Sequence, residues 1–414
     1  MRLIRTLSIC ALLVAVGCAK PKVAPDYARQ LEPGQAALRL VTDPARMPNL
    51  AAAFGDSDRF LLDSIDQSIR WFAAPSSKQF FPIEGISHEQ ARASLVAFRD
   101  VAERSQSAEE FSLDVNRLFH VYESVGYDGQ GTVLFTGYFT PIFSGSLARQ
   151  GEYQYPLYQR PSDLATDPVT GQPRGRVLAD GSYISYPSRG EIESSEILAG
   201  SELVWLNDPL SAYLIHVNGS AKLRLDEGRE MFVGYAGKTD REYASLGKAI
   251  IEAGMVKKEK MNLPAIKRAY EKNPQKVIDL MKVNESYVFF KEYDGSNWPS
   301  GSLGVRVTAD RSIATDKKIF PRGGIIIVDT DVQTISQGHR PTTRLMLDQD
   351  TGGAIRAPGR ADLFRGIGPT AEILAGGQYA EGRLFYLFLK PQFVKEYSTP
   401  QGGNSGTGTI PSRN

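Results

Sequence analysis

Only two cysteines and four histidines occur in the 414 residues, and neither sign of charge is massed anywhere along the chain. Each scarcity removes a class of function. Cys10 sits in an apolar N-terminal run of the kind removed on export, so the mature chain keeps a single thiol and no disulfide framework can form. His88, His120, His216 and His339 are widely separated, lack cysteine partners and show no i, i+4 pairing, so neither a metal nor any other cofactor is expected. The 48 Lys and Arg against 47 Asp and Glu leave a net charge of +1 with the basic residues dispersed, which excludes the electrostatic footprint of a nucleic-acid binder. No G-x-S-x-G nucleophile elbow occurs, and GYAGKT at 234–239 lacks the glycine spacing of a phosphate loop. Acyl transfer and nucleotide chemistry therefore find no support.

The balance of 42% hydrophobic and 23% charged residues is that of an ordinary globular chain, enough for one large domain or two moderate ones. The first residues carry a targeting pattern: Arg2 and Arg5, an apolar stretch over 7–16, then small residues before Cys18. The stretch is too short to span a bilayer comfortably. The order Ala15, Val16, Gly17, Cys18 resembles a bacterial lipoprotein cleavage site, so residues 1–17 read as a signal peptide and Cys18 as the lipidated first residue of the mature chain. Ala19 gives no inner-membrane retention signal of the Asp type, which points to an outer-membrane lipoprotein facing the periplasm. Residues 18–46, rich in Pro and Ala, read as the lipidated cysteine and its tether, and 397–414 as a disordered tail of Gly, Ser, Thr and Pro.

Between these ends, apolar spacing and capping pairs predict three early helices: one through Leu62, Ile65, Ile69 and Phe72, one opened by Ser87 with Gln90, and one opened by Ser107 with Glu110. Short β-rich runs then follow at 133–140, 202–206, 213–217, 222–225, 287–291, 305–308, 324–329, 344–347 and 384–389. Their lengths and irregular spacing predict a mainly β fold of barrel type with helices. One helical island interrupts them, with Thr239 and Glu242 as a capping pair before Leu246 and Ile250 and a stop at Gly254, and with a second helix started by Asn262 and Pro264.

Two clusters carry chemistry. Asp348, Asp350 and Asp362 sit among five glycines between Gly352 and Gly368, where backbone and carboxylate can approach a ligand closely; composition alone favours a turn cluster linking strands. TGYFTP at 136–141, YQYPLY at 153–158, Tyr235 and Tyr243 combine aromatic faces with hydroxyls, as a sugar site requires; a barrel core with tyrosine tips would look the same.

Taken in order, TGYFTP, QYPLYQRP, the span at 203–225, the span at 235–254, VFFKE, TDKKIFPRGG, DTGGAI and ADLFRGIGP resemble the membrane-bound lytic murein transglycosylase A family over 132–391. The resemblance implies a double-psi β-barrel ending in a three-aspartate region, with a second β-rich domain inserted and a glycan groove between them. It places the barrel with its N-terminal helices at 47–141 plus 287–396 and the insert at 142–286. It assigns the three aspartates to Asp316, Asp350 and Asp362, with Asp362 catalytic and the other two supporting. IRAPGRAD is one residue longer before Asp362 than the family pattern, and FRGIGP after it restores the register. Tyr138, Thr140, Gly219, Ser220 and Gly352 are carried over as sugar contacts.

The implied activity is that of a lytic exotransglycosylase, cleaving the β-1,4 bond between N-acetylmuramic acid and N-acetylglucosamine and leaving 1,6-anhydromuramic acid ends. Ordinary glycosidases need two carboxyls to protonate and to activate water or attack; here the muramic acid C6 hydroxyl attacks, so one aspartate can serve as acid and then base. Glycan strands are the expected partner, cell-wall synthases or scaffolds further ones, and a monomer the expected state. Two alternatives stay open: an inverting hydrolase on the same barrel, with Asp350 as base and Asp362 as acid, and a glycan-binding lipoprotein without activity.

Overall fold

The computed structural model describes residues 25–168 and 171–398. The signal peptide, Cys18 and residues 399–414 of the expected tail lie outside the described residues.

The mainly β architecture expected from the short runs is present as a closed barrel. Its six strands follow the order Tyr379–Leu389, Ile325–Thr334, Gly338–Asp350, Ser312–Ala314, Arg360–Ile367 and Val133–Thr140, and the last pairs back onto the first. Two joints are parallel, Ser312–Ala314 with Gly338–Asp350 and Arg360–Ile367 with Val133–Thr140; the remainder are antiparallel. Closure depends on the long strand Tyr379–Leu389, which pairs with Val133–Thr140 through its first half and with Phe119–Ser124 through its second. Gly382 lies at the crossing. A methyl group there would meet Asp329 O at 2.2 Å, so only glycine lets the strands approach.

The three early helices form where the spacing predicts, at Arg59–Ala73, His88–Arg104 and Ala108–Leu118. Asp58, Ser87 and Ser107 cap them by accepting from the N–H groups of Leu61, Gln90 and Glu110. The Glu110 carboxylate reaches past the cap to Gln106 N, one residue beyond the reciprocal bond of a capping box. Their apolar faces share one core with the barrel, with Ile65, Phe98, Phe111, Ile326, Phe385 and Leu387 all at 0% exposure. Full burial of each such side chain contributes about 1.5–3 kcal/mol.

The expected tether over 18–46 is a correction from residue 25 onward. Leu38–Leu40 pairs antiparallel with Phe119–Ser124, and Arg39, Arg46 and Arg383 converge on the buried carboxylate of Glu123, with Arg39 Nη2 at 2.8 Å and Arg46 Nη2 at 2.7 Å. A sheet edge and a buried acid capture a segment whose composition reads as linker.

The second β unit emerges directly from the barrel strand Val133–Thr140. Its six-stranded sheet has the order Val288–Tyr293, Glu230–Lys238, Ser220–Leu225, Ile142–Ser146, Glu202–Leu206 and Tyr155–Tyr158. Val288–Tyr293, expected to begin the return to the barrel, instead pairs antiparallel with Glu230–Lys238, so the insert runs to residue 293 rather than 286. Residues 213–217, expected as a strand, lie in the helix Pro209–Asn218. Asp208 caps it, Pro209 opens it and Gly219 closes it at φ 76°; a short apolar run looks alike in helix and strand, and the flanking caps decide. Residues 305–308 form no strand, although Val305 and Val307 are buried and Val307 N donates to Pro299 O. Thr239 is not a helix cap: its N–H donates to Tyr287 O and its hydroxyl accepts from Tyr287 N, while Ser245 caps Leu246–Glu252.

Candidate active site

Asp362 lies on the strand Arg360–Ile367, between Ala314 on one side and Thr136 on the other. The residue is half-buried, yet its Oδ1 is shut off from solvent and has no hydrogen-bond partner. Burial raises its carboxyl to about 6; the Arg360 charge and a hydrogen bond from the Thr136 hydroxyl oppose the rise, and the Asp350 charge adds to it. Arg360 is two residues before Asp362 and so on the same face of the strand. Its Nη2 reaches Thr136 Oγ1 at 3.5 Å, while its Nε is buried without a partner.

Asp350 occupies a contrasting environment at the end of Gly338–Asp350. Its Oδ1 accepts from the backbone N–H groups of Ser302 and Thr351, both at 2.8 Å, and its Oδ2 accepts from the Tyr138 hydroxyl at 2.8 Å. Burial still raises its carboxyl above the usual range, against these donors and the charge of Lys317. Asp316 is buried as well, with Oδ1 accepting from Lys318 N and Oδ2 from Ala357 N, each at 3.0 Å. Asp316 thus fastens the loop at 352–359 to the turn after Ser312–Ala314. Asp348, two residues before Asp350, is fully buried and holds Lys317, Thr315 and the Tyr386 hydroxyl inside the barrel.

The insert faces this wall through Tyr243. A methyl group on Gly353 would rest 3.6 Å from Tyr243 Cβ, and Tyr243 stands near enough to Arg360 and Asp362 for their charges to act on its hydroxyl, which burial raises. Elsewhere the two units are locked together: Phe139, Ala371 and Ala375 pack with Leu263, and Lys267 of the insert pairs with Glu372 on the helix Pro369–Gly377. At the Tyr243 joint, Gly353 and Tyr243 come close together, with Arg360 and Asp362 of the barrel wall near Tyr243.

Of the residues carried over as sugar contacts, Tyr138 stands beside Asp350 with its hydroxyl already donated and its ring 5.1 Å from Phe364. Gly352 is half-buried in the loop beside Gly353. Thr140 and Ser220 are buried and face each other at 3.2 Å, joining barrel to insert, and Gly219 supplies the left-handed turn before Ser220. Thr140 and Ser220 are thus part of the joint, whereas Gly219 is half-buried with open space beside its Cα. Thr136 opens TGYFTP and Arg360 lies in IRAPGRAD, yet neither run assigns them a role at the carboxylate; the strand register brings them to Asp362. Of the histidines, His216 is buried in the insert, where its Nδ1 accepts from Val288 N. Among the described residues no group of His, Cys, Asp or Glu is arranged to hold a metal ion.

Two family descriptions match the chain: an MltA specific insert domain over residues 134–291 and a 3D domain over residues 311–388. The membrane-bound lytic murein transglycosylase A of Escherichia coli K12 is 32% identical over 274 residues, 65% of this chain and 69% of that protein. The chain belongs to the membrane-bound lytic murein transglycosylase A family. Its activity is that of a peptidoglycan lytic transglycosylase. Among solved structures, the membrane-bound lytic murein transglycosylase of Agrobacterium tumefaciens aligns with a TM-score of 0.71 at 23% identity, covering 87% of this chain and 99% of that one, and supports the fold. E. coli MltA with bound chitohexaose aligns with a TM-score of 0.66 at 26% identity, covering 90% and 98%. The relatives are named as membrane-bound, and among the described residues no helix is long and apolar enough to cross a membrane.

Proposed function

We propose that Asp362 is the single acid and base of the lytic cleavage, acting on glycan held between barrel and insert. The observation that carries this is the bare Oδ1: a carboxyl oxygen shut off from water, unpartnered, on a group raised to about 6. In the neutral state it donates its proton to the glycosidic oxygen as the C1–O bond breaks. The muramic acid C6 hydroxyl then attacks C1, the new C6–O–C1 bond closes the 1,6-anhydro ring, and the carboxylate takes the hydroxyl proton. Bonds and protons balance without water, and the carboxyl returns to its starting state. Asp350 and Asp316 support the loop and strand end around it through backbone donors. Tyr138, Gly352 and Tyr243 are the surfaces offered to the sugar rings.

The hydrolase alternative needs Asp350 as a base free to activate water. Both of its oxygens already accept, three bonds in all, which leaves Asp362 as the free carboxyl. Chitohexaose bound to the E. coli protein supports a groove for β-1,4-linked N-acetyl sugars here. We further propose that Cys18 carries the lipid and that the protein faces the periplasm from the outer membrane as a monomer. The chain from Cys18 to the docked Tyr27, whose hydroxyl donates to Glu381 at 2.7 Å, can span at most about 30 Å. That reach keeps the barrel close to its membrane.

Digestion of purified sacculi in ¹⁸O-water, read by mass spectrometry, tests the mechanism. Anhydro-ended fragments without ¹⁸O are expected from the wild type and no fragments from Asp362→Asn; reducing ends carrying ¹⁸O would contradict it.

A further inference from the structure

Beyond the groove, three cations meet with little to neutralise them. Lys238 ends the insert strand Glu230–Lys238 in a half-buried position, where burial lowers its pKa with help from the charges of Arg356 and Lys318. Hydrogen-bond geometry also places two of the three together. Asp316 accepts from Lys318 N and from Ala357 N, so one buried carboxylate fixes side by side the two barrel segments that carry Lys318 and Arg356. The packing of Tyr243 against Gly353 sets the insert segment after Lys238 over the same loop. Glu242 is the one acid whose charge acts on Lys238, and it is exposed. Asp316, the buried acid between the two barrel segments, accepts from a backbone N–H on each oxygen. Clustered cations without an ion-pair partner among the described residues mark a place where a negative ligand is expected.

We propose that Lys238, Arg356 and Lys318 form a site for the carboxylates of the peptide stem carried by muramic acid, so that the enzyme engages stem-bearing glycan more strongly than bare glycan. The glycan backbone of alternating N-acetyl sugars is neutral apart from its lactyl groups, whereas the stems bear free carboxylates. Amidase removal of a stem leaves one lactyl carboxylate on each muramic acid, so bare glycan offers the cluster a single charge per disaccharide where a stem offers several. The inference rests on the groove beside Asp362 being the glycan site.

The test compares the full mature chain with the double variant Lys238→Gln, Arg356→Gln and with the single variant Lys318→Gln, on stem-bearing peptidoglycan and on the same glycan after amidase removal of the stems. Two charges of this exposure are worth about a tenfold change together. KM on stem-bearing substrate is expected to rise by about that factor in the double variant, and less in Lys318→Gln, with kcat unchanged and a clearly smaller rise on bare glycan, which keeps only its lactyl carboxylates. Wild-type KM on stem-bearing substrate should also rise with added NaCl, and the double variant should lose most of that dependence. Equal change on both substrates, or no change on either, overturns the proposal. Should the double variant fold poorly, Lys318→Gln alone carries the comparison, because Lys318 is exposed and its side chain holds no partner. Failure of the Asp362 assignment would show separately, as activity surviving in Asp362→Asn while the stem-dependent split persists.

Discussion

Two stretches of the same barrel wall present a half-buried aspartate, and they use it in opposite ways. Around Asp350 the wall supplies a donor for every need: Ser302 N and Thr351 N on one oxygen, the Tyr138 hydroxyl on the other. Around Asp362 it supplies the Thr136 hydroxyl and a neighbouring Arg360, and leaves Oδ1 bare. Burial raises both carboxyls, so burial alone does not separate them. Unspent capacity does. A carboxyl with donors on both oxygens is part of the scaffold, and one with an unpartnered oxygen can hold and pass a proton.

The largest break in this comparison comes from exchanging each carboxyl for an amide. Asp362→Asn should lower murein cleavage by on the order of 10³-fold, because it removes the transferable proton while keeping shape. Asp350→Asn should cost about tenfold in activity and about 1–3 kcal/mol in stability, since an amide NH₂ would confront one of the donors now satisfied. Muropeptide release and thermal melts on both variants read these outcomes.

A smaller effect concerns stability against pH. The folded Asp362 carboxyl titrates near 6 and the unfolded one at the ordinary 3.8, so the folded state binds the proton more tightly and stability falls as pH rises from 3.8 to 6. Above that window the charge costs about 3 kcal/mol. Asp362→Asn should therefore raise the melting temperature at pH 7.5 and leave it nearly unchanged at pH 4, whereas Asp350→Asn should lower it at both. The smallest effect sharpens the local electrostatics. Removing the Arg360 charge by Arg360→Gln takes away the leading influence that lowers the Asp362 carboxyl, so the pH above which kcat/KM declines should move upward, by about one unit or less.

Much of this arrangement is legible in the residues. Caps at Ser87, Ser107 and Asn262 announce their helices, and the strands 133–140 and 202–206 coincide with runs bounded by turn residues. Family motifs in order identify the barrel and point to Asp362. What composition hides is tertiary. Residues 25–46 look like linker until Glu123 gathers Arg39 and Arg46 from far along the chain. In LDQD, Asp348 and Asp350 are equivalent as sequence; a register shift opposite Ile313 and Ala314 and the partner Lys317 send one inside the barrel and the other toward Tyr138. Arg360 and Arg356 in IRAPGRAD and Lys238 in the span at 235–254 gain no role from their runs, and only the fold brings Arg360 to Asp362 and Arg356 within reach of Lys238.

The central claim is that Asp362 meets its substrate as a neutral acid. Titration of the mature chain with ¹³C-labelled aspartate carboxyls, the Asp362 signal assigned by its loss in Asp362→Asn, measures this directly by NMR. An inflection near about 6 is the expected result. A carboxyl already ionised at pH 5, titrating near the ordinary ~3.9, would contradict the account.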